Sequence, residues 1–230
     1  MREVVLDTET TGLDPLDGHR LVEVGCVELI NGIPSGQTFH AYFNPERAMP
    51  AEAFAVHGLS EEFLKDKPFF SETAGDLIAF LGEAPLVIHN AAFDLGFLNA
   101  ELERAGRALI ARERLVDTLL IARRKHPGGS NRLDDLCVRY AIDNSRRTKH
   151  GALLDAELLA EVYVELIGAR QAQLVLSQAA APRETFGEPI ILRQRSAPLP
   201  SVLTEDDRAA HRAFIATLGE NAIWRDYLGA

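Results

Sequence analysis

Val4-Val5-Leu6-Asp7-Thr8-Glu9-Thr10-Thr11-Gly12 is the stretch on which the reading turns: three apolar residues run straight into a carboxylate, and a second follows two positions later. In a strand, side chains alternate faces, so Asp7 and Glu9 point the same way at the carboxyl end of a buried strand. Two ionised carboxylates at that spacing repel each other and lose solvation, and one would hold its proton unless a cation sat between them. Oxygen-only ligands suit a hard divalent ion such as Mg²⁺ or Mn²⁺, which keeps part of its water and commonly takes a share of its shell from a phosphate. A lone Asp-x-Glu is more often a solvated strand end, so the metal reading depends on what lies downstream.

Outward from that strand, residues 20–30 alternate loosely and are rich in β-branched side chains, Asn31-Gly32 is a turn signal, and residues 37–43 read as the returning strand. With residues 4–7 they predict a three-stranded antiparallel start to a sheet. From Pro50 the pattern turns helical: residues 51–56, a capped start at Ser60-Glu61-Glu62, and residues 71–81. Residues 85–89 predict a buried strand, followed by a helix over 92–105 with Phe93, Phe97, Leu98 and Leu102 on one face, ending near Gly106. Residues 115–121 predict a strand end leading into a helix, 126–131 a loop and 132–140 a helix. Residues 151–167 predict a long amphipathic helix with Leu154, Leu158, Val162 and Leu166 at helical spacing. Strands first, then strands alternating with helices, predict an α/β layer fold with a mixed sheet.

Composition bounds the function. The chain has 230 residues, 47% hydrophobic and 25% charged, the profile of a soluble globular protein with one good core and room for an appendage. No apolar run reaches spanning length and Arg2-Glu3 stand directly before a strand, so neither a membrane partner nor a signal peptide is expected, and the expected location is cytoplasmic. Cys26 and Cys137 lie far apart in apolar segments, outside any metal-ligand spacing, and read as reduced structural thiols. A net charge of −10 excludes a protein that holds nucleic acid by bulk electrostatics, so any polyanion must be gripped locally or through a partner. The basic clusters Arg123-Arg124-Lys125-His126 and Arg146-Arg147-Thr148-Lys149 read as solvated faces.

Two further stretches carry chemistry. His89-Asn90-Ala91-Ala92-Phe93-Asp94 lies at a strand-to-helix junction, where open α/β sheets present functional side chains, although an aspartate in a first helical turn often serves only the helix dipole. Lys149-His150-Gly151-Ala152-Leu153-Leu154-Asp155 puts a histidine on a glycine-containing lead-in and an aspartate one turn into a helix, leaving His150 free to swing toward whatever Asp155 holds.

In combination, Asp-x-Glu on the first strand, an aspartate at a later helix start and His-x4-Asp on the last long helix resemble the DnaQ-like 3′-to-5′ exonucleases of the Asp-Glu-Asp-Asp class with a histidine base. The resemblance covers residues 4 to about 164 through "DTETTG", "EAFAVHGLSEEFLKDKPFF", "IHNAAFDLGFLN" and "HGALLDAELLAEVY", and within the superfamily the chain looks closest to the proofreading epsilon subunits of bacterial DNA polymerase III. The resemblance implies a ribonuclease H-like mixed sheet flanked by helices and an enzyme that removes mismatched 3′-terminal nucleotides. It implies two divalent metal ions, Mg²⁺ or Mn²⁺, with Asp7, Glu9 and Asp155 on the nucleophile-side ion, Asp7 and Asp94 on the other, and His150 as general base. The implied substrate is the single-stranded 3′ end of DNA, met by Asp7, Glu9, Thr10, Gly12, Leu13, Glu52, His57, Phe93 and Asp155. Thr10, Thr11 and Gly12 are expected to offer backbone N–H groups and Leu13 to wedge against the terminal base. Phe93 either stacks on a base or fills the core, and the core is favoured.

The character changes near Ala179: four prolines and few large apolar residues up to Val202 read as a flexible linker, spanning roughly 25–30 Å by random-coil scaling. Thr204-Glu205-Asp206-Asp207 then starts a helix whose apolar residues, among them Phe214, Leu218, Trp224 and Tyr227, are too few for a core of their own. The expected organisation is an exonuclease domain over 1–178, a linker over 179–203 and a short helical tail over 204–230. By resemblance the tail binds the polymerase III catalytic (alpha) subunit, and Gln171, Leu174 and Leu176 form a sliding-clamp peptide. Alternatives with the same motifs are a free-standing RNA-trimming nuclease and a non-catalytic bridge between clamp and polymerase. The intact carboxylate set argues against the bridge, and the linker and aromatic tail argue against the free-standing enzyme.

Overall fold

In the computed structural model, which describes residues 1–147, 149–168 and 203–218, the opening strand is the spine of the sheet. Strand β1 (Arg2–Thr10) pairs antiparallel with β2 (Leu21–Ile30), which pairs antiparallel with β3 (Ile33–Tyr42). On its other side β1 pairs in parallel with β4 (Leu86–Ile88), and β4 with β5 (Leu115–Asp117), giving a five-stranded mixed sheet in the order β3-β2-β1-β4-β5. The parallel strands β1, β4 and β5 therefore deliver their carboxyl ends to one edge, where such sheets carry their sites.

Alternation along β1 divides the core. Val4 and Leu6 face one layer, with α3 (Phe70–Leu81) and α4 (Ala91–Arg104), around Phe43, Phe70, Leu77, Phe97 and Leu98. Val5 faces the other, with α7 (Ala152–Leu166), around Val27, Leu29, Val87, Leu159 and Tyr163. Helices α5 (Thr118–Lys125) and α6 (Leu133–Arg139) extend that second layer through Ala122, Leu136 and Cys137. The short helices α1 (Ala51–His57) and α2 (Glu61–Leu64) lie on the connection between β3 and α3, α2 being capped by Ser60 Oγ on the Phe63 N–H at 3.1 Å.

The expected elements are present, with two differences. β1 runs on to Thr10, so Glu9 is a strand residue with a register shift just after it. β3 begins at Ile33, ahead of the expected start, because Asn31-Gly32 closes a tight hairpin and Pro34 is tolerated on an edge strand that needs no partner for its nitrogen. Exposure of residues 33–36 erases the alternation that would have signalled strand.

The chain divides into two compact units, Met1–Leu174 and Val175–Ala230. In the second, α8 (Glu205–Thr217) starts where the capping pattern places it: Thr204 Oγ1 accepts from the Asp207 N–H at 3.1 Å and Asp207 Oδ2 accepts from the Thr204 N–H at 2.9 Å. Phe214 and Leu218 are exposed, while Gln171, Leu174, Leu176, Trp224 and Tyr227 lie outside the described residues.

Gly25 sets how closely α7 approaches the sheet. It pairs with Asp7 across the ladder, and a Cβ there would fall 2.2 Å from the Leu153 backbone nitrogen. The helix start that carries Asp155 can thus settle beside Asp7. Gly25→Ala is expected to lower stability by about 1–3 kcal/mol through overpacking, visible as a reduced melting temperature; an unchanged melting curve would show that α7 does not rest on this contact.

Candidate active site

The alternation that builds the core also builds the site. Glu3, Val5, Asp7 and Glu9 share the α7 face of β1; Glu3 accepts from the Tyr163 hydroxyl at 2.7 Å, Val5 is core, and Asp7 and Glu9 come next along the strand. From the opposite face Thr8 Oγ1 donates to Asp94 Oδ1 at 2.7 Å. Asp94 is buried in the first turn of α4, whose N-cap residue Asn90 is left-handed at φ 68° so that the chain turns sharply out of β4. The turn after β1 is clamped to α4 by Arg20, whose Nε and Nη2 donate to the two oxygens of buried Glu101 at 2.6 and 3.0 Å.

Asp155, one turn into α7, is also buried, and its partner comes from a basic run expected on a solvated face. Arg147 Nε and Nη2 donate to the two Asp155 oxygens at 2.5 and 2.8 Å, Nη1 donates to Asp134 at 2.7 Å, and the Arg147 side chain is only 7% exposed. His150 Nδ1 stands 2.7 Å from Arg147 Nη2 and 3.3 Å from Asp155 Oδ2. The lead-in bearing His150 is fastened to α1: the His150 N–H donates to the Val56 carbonyl at 3.3 Å and Lys149 Nζ to the Ala55 carbonyl at 3.1 Å.

The electrostatics follow from this crowding. Burial, then Asp94, Glu9 and Asp155, push the Asp7 carboxyl well above its ordinary range, although part of its surface opens to the cavity. Burial and then Asp155 and Glu23 raise Glu9 to about 8; Glu23 is its direct cross-strand partner on β2. Burial raises Asp94 to about 7 despite the Thr8 hydrogen bond. For Asp155 burial acts upward too, but His150 and Arg147 outweigh it and hold it below its ordinary value. Among the described residues, Arg147 is the positive charge that acts on Asp7, Glu9 and Asp155 together, while Asp7, Glu9 and Asp94 tend to keep their protons.

Two cavities meet at this cluster. The larger, about 1000 Å³, is lined by Asp7, Glu9, Asp94, Arg147, His150 and Asp155, with His89 beside them. The smaller, about 520 Å³, is lined by Glu9, Thr10, Gly12, Leu13, Glu52, His57 and Phe93; Thr8, Glu9 and Phe93 belong to both. Phe93 is half-buried, touching the Phe97 ring at 5.1 Å while lining both cavities, so it serves core and cavity together. Leu13 is 84% exposed at the rim of the smaller cavity, where a wedge would stand. His57 Nδ1 accepts from the Leu59 N–H at 3.0 Å, which leaves the proton on Nε2, a buried nitrogen with no hydrogen-bond partner. One expectation changes. The Thr11 N–H donates to the Arg20 carbonyl at 2.9 Å and is not available to a ligand. The space beside Gly12 is filled by His19, whose ring would lie 2.3 Å from a Cβ there.

The donor set fits a hard cation. Glu9, His150 and Asp155 bring ligand atoms within 4.8 Å of one another, with Asp7 and Asp94 lining the same cavity and coupled to them by charge. Arg147 forks onto Asp155 as a stand-in for positive charge, a role no spacing in the sequence announces. His89 is a half-buried strut that no motif in the sequence singles out, with Nε2 2.9 Å from the Asn131 carbonyl and Nδ1 2.9 Å from Thr118 Oγ1, and burial pulls its pKa below the ordinary value.

Comparisons with known proteins agree on one family. The family model described as Exonuclease, of the RNase T type, matches residues 4–163. The DNA polymerase III subunit epsilon of Rickettsia felis is 44% identical over 96% of this chain and 99% of its own length, and that of Escherichia coli K12 is 41% identical over 97% of each. Among solved structures, the nuclease domain of 3′hExo, described as a DEDDh family member bound to rAMP, superposes with a TM-score of 0.60 at 17% identity, covering 73% of this chain and 92% of that one, which supports the fold.

Because Glu9 and Asp94 are raised to about 8 and 7, the metal-free fold binds more protons than the unfolded chain at neutral pH. The stability these protonated groups contribute is present at low pH and lost as pH rises through those values. A divalent ion takes these carboxyls in their ionised form, so the rise in melting temperature on adding Mn²⁺ to chelator-treated protein is expected to grow between about pH 6.5 and 8. Equal increments at both ends of that window would contradict the proton-holding cluster.

Proposed function

The chain belongs to this exonuclease family, and from that premise we propose that it is the proofreading 3′-to-5′ exonuclease of a bacterial replicase, hydrolysing the terminal phosphodiester of a single-stranded DNA 3′ end. The observation that carries the reading is the convergence of Asp7, Glu9, Asp94 and Asp155 on one cavity that adjoins a second, mostly separate pocket of nucleotide size. The family is metal-dependent, and the proposed cofactors are two Mg²⁺ or Mn²⁺ ions, with Asp7, Glu9 and Asp155 holding one and Asp7 and Asp94 the other. When bound, such ions supply Lewis acidity toward the attacking water and the scissile phosphate.

The chain's own residues then have distinct tasks. Thr8 keeps Asp94 aimed by accepting no part of the metal charge and donating its hydroxyl to Oδ1. Glu52 and His57 line the pocket for the terminal nucleotide and suit its sugar oxygens, with Leu13 and Phe93 as apolar surface for its base. His150 is the proposed base. An Nδ1–H donated to Asp155 Oδ2, 3.3 Å away, leaves the Nε2 lone pair to take the water's proton. Arg147 competes for that arrangement, because one nitrogen cannot accept from Arg147 and donate to Asp155 at once. The guanidinium must release Nδ1 before the basic tautomer forms.

Residues 1–178 are proposed as the exonuclease domain, 179–203 as the connector and 204–230 as the segment that binds the polymerase III catalytic subunit, with Phe214, Leu218, Trp224 and Tyr227 as its apolar contacts. Gln171, Leu174 and Leu176 are proposed for the clamp, and the location is cytoplasmic. No helix among the described residues is long and apolar enough to cross a membrane.

Digestion of 3′-labelled single-stranded DNA and RNA tests the reading directly. Wild type is expected to degrade DNA in preference to RNA, Asp7→Ala to lose cleavage, and His150→Ala to keep most Mn²⁺ affinity by calorimetry while cleavage falls about 10²-fold or more. Preference for RNA would favour a trimming nuclease, and unchanged cleavage by His150→Ala would remove the base. In a pull-down with the isolated catalytic subunit, the full chain is expected to bind and a chain ending at 178 to fail; equal binding would remove the tail assignment.

A further inference from the structure

The larger cavity has a second chemical character that the reaction leaves unused. Away from the carboxylates its wall is formed by Arg123 near the end of α5, by Gly128 and Gly129, and by Arg132 just before α6. Both arginines are exposed, and among the described residues neither forms an ion pair. Two nearby cations are engaged: Lys125 Nζ donates to the Glu165 and Leu166 carbonyls at 2.8 and 3.2 Å, and Arg139 donates to the Ser130 carbonyl at 2.8 Å and Asn131 Oδ1 at 3.3 Å.

The shelf between the two arginines is preorganised. Buried Asn131 donates through Nδ2 to the Gly129 carbonyl at 2.9 Å, and its own carbonyl lies 2.9 Å from His89 Nε2, so the loop is tied to the end of β4 that also starts α4 and Asp94. In a chain of net charge −10, unpaired cations on the wall of an otherwise acidic cavity are suited to an anion that enters from outside. Direction follows from the shared lining. Thr8, Glu9 and Phe93 border both cavities, so the carboxylates stand between the smaller pocket and the arginine wall. A strand whose last nucleotide fills the smaller pocket, and whose last phosphodiester lies at the carboxylates, extends upstream along that wall.

We propose that Arg123 and Arg132 hold the phosphodiesters of single-stranded DNA upstream of the scissile bond, with Leu119 offering apolar surface to its bases. The proposal rests on the exonuclease reading and assigns that site its strand path. Cationic contacts to phosphates act on binding and leave the chemical step alone, and each one made to a single strand adds about 0.7 to the salt slope.

The test compares the full chain, its Arg123→Gln/Arg132→Gln double variant and Arg124→Gln, a neighbouring exposed arginine outside the cavity lining. Two substrates are used with Mg²⁺: a single-stranded DNA of about ten nucleotides, and the p-nitrophenyl ester of thymidine 5′-monophosphate, which has no upstream phosphate. For the double variant, KM on the oligonucleotide is expected to rise about tenfold at low salt and the slope of log(1/KM) against log[salt] to flatten by about 1.4, twice the single-contact value. Hydrolysis of the ester should stay within about twofold, and Arg124→Gln should match wild type on both. Equal loss on ester and oligonucleotide would place the arginines in the chemistry and overturn the proposal. An active wild type whose double variant keeps its oligonucleotide KM and salt slope would overturn the strand path alone, whereas a wild type inactive on both substrates would sink the nuclease reading and this proposal with it.

Discussion

Mutual repulsion among buried carboxylates is the constraint around which this fold is arranged. Asp7, Glu9, Asp94 and Asp155 come from a strand and two helices far apart in the chain, and each loses solvent where they meet. Without positive charge such a cluster keeps protons or pushes its elements apart. Arg147 answers part of this by forking onto Asp155, and the remaining carboxyls answer it by staying high in pKa. The same frustration is what gives a divalent cation its hold, since it can neutralise several oxygens from one position. Under the proposed metal assignment, cation binding and guanidinium binding at Asp155 would be alternatives, with the His150 tautomer coupled to that exchange because Arg147 touches Nδ1.

The scaffold meets the constraint with few special residues. Period-two alternation on β1 assigns Asp7 and Glu9 to the α7 side and Thr8 to the α4 side, so one strand addresses Asp155 directly and Asp94 through a hydroxyl. Gly25 removes the side chain that would hold α7 away, and Arg20 with Glu101 keeps the turn after β1 against α4. The His150 lead-in is pinned to the same short helix that carries Glu52 and His57. His150 and the α1 wall of the smaller cavity are therefore tied to one another by two hydrogen bonds.

Much of this was legible in the sequence, for identifiable reasons. Strand alternation needs only local order, so the shared face of Asp7 and Glu9 could be read directly, and apolar periodicity marked α4 and α7 because each buries a full stripe. Caps at Ser60 and Thr204 are local chemistry and fell where expected. What escaped depends on through-space pairing. Arg147 sits in a run of cations, and nothing nearby distinguishes the one whose side chain turns inward to Asp155 and Asp134. Thr8, Gly25 and His89 act through partners 86, about 130 and 29 residues away, distances at which periodicity carries no information. The early start of β3 was hidden because an exposed edge strand has no face to bury.

Net charge shapes how the proposed enzyme would choose its substrate. An acidic chain gains little from long-range attraction to DNA, so its hold on an end is confined to a few contacts inside the cavity. Under the proposed function, attachment to a polymerase supplies the encounter through effective concentration, which frees the site from needing high intrinsic affinity. Weak intrinsic affinity is then useful. A paired terminus must be unstacked and unpaired before it can enter a pocket of about 520 Å³, and that cost is smallest when the terminal base is mismatched. A site that gripped DNA strongly would offset the difference and trim correct ends as well. Discrimination thus lies in the fraying of the substrate, provided the protein contributes just enough binding to capture an end that is already loose.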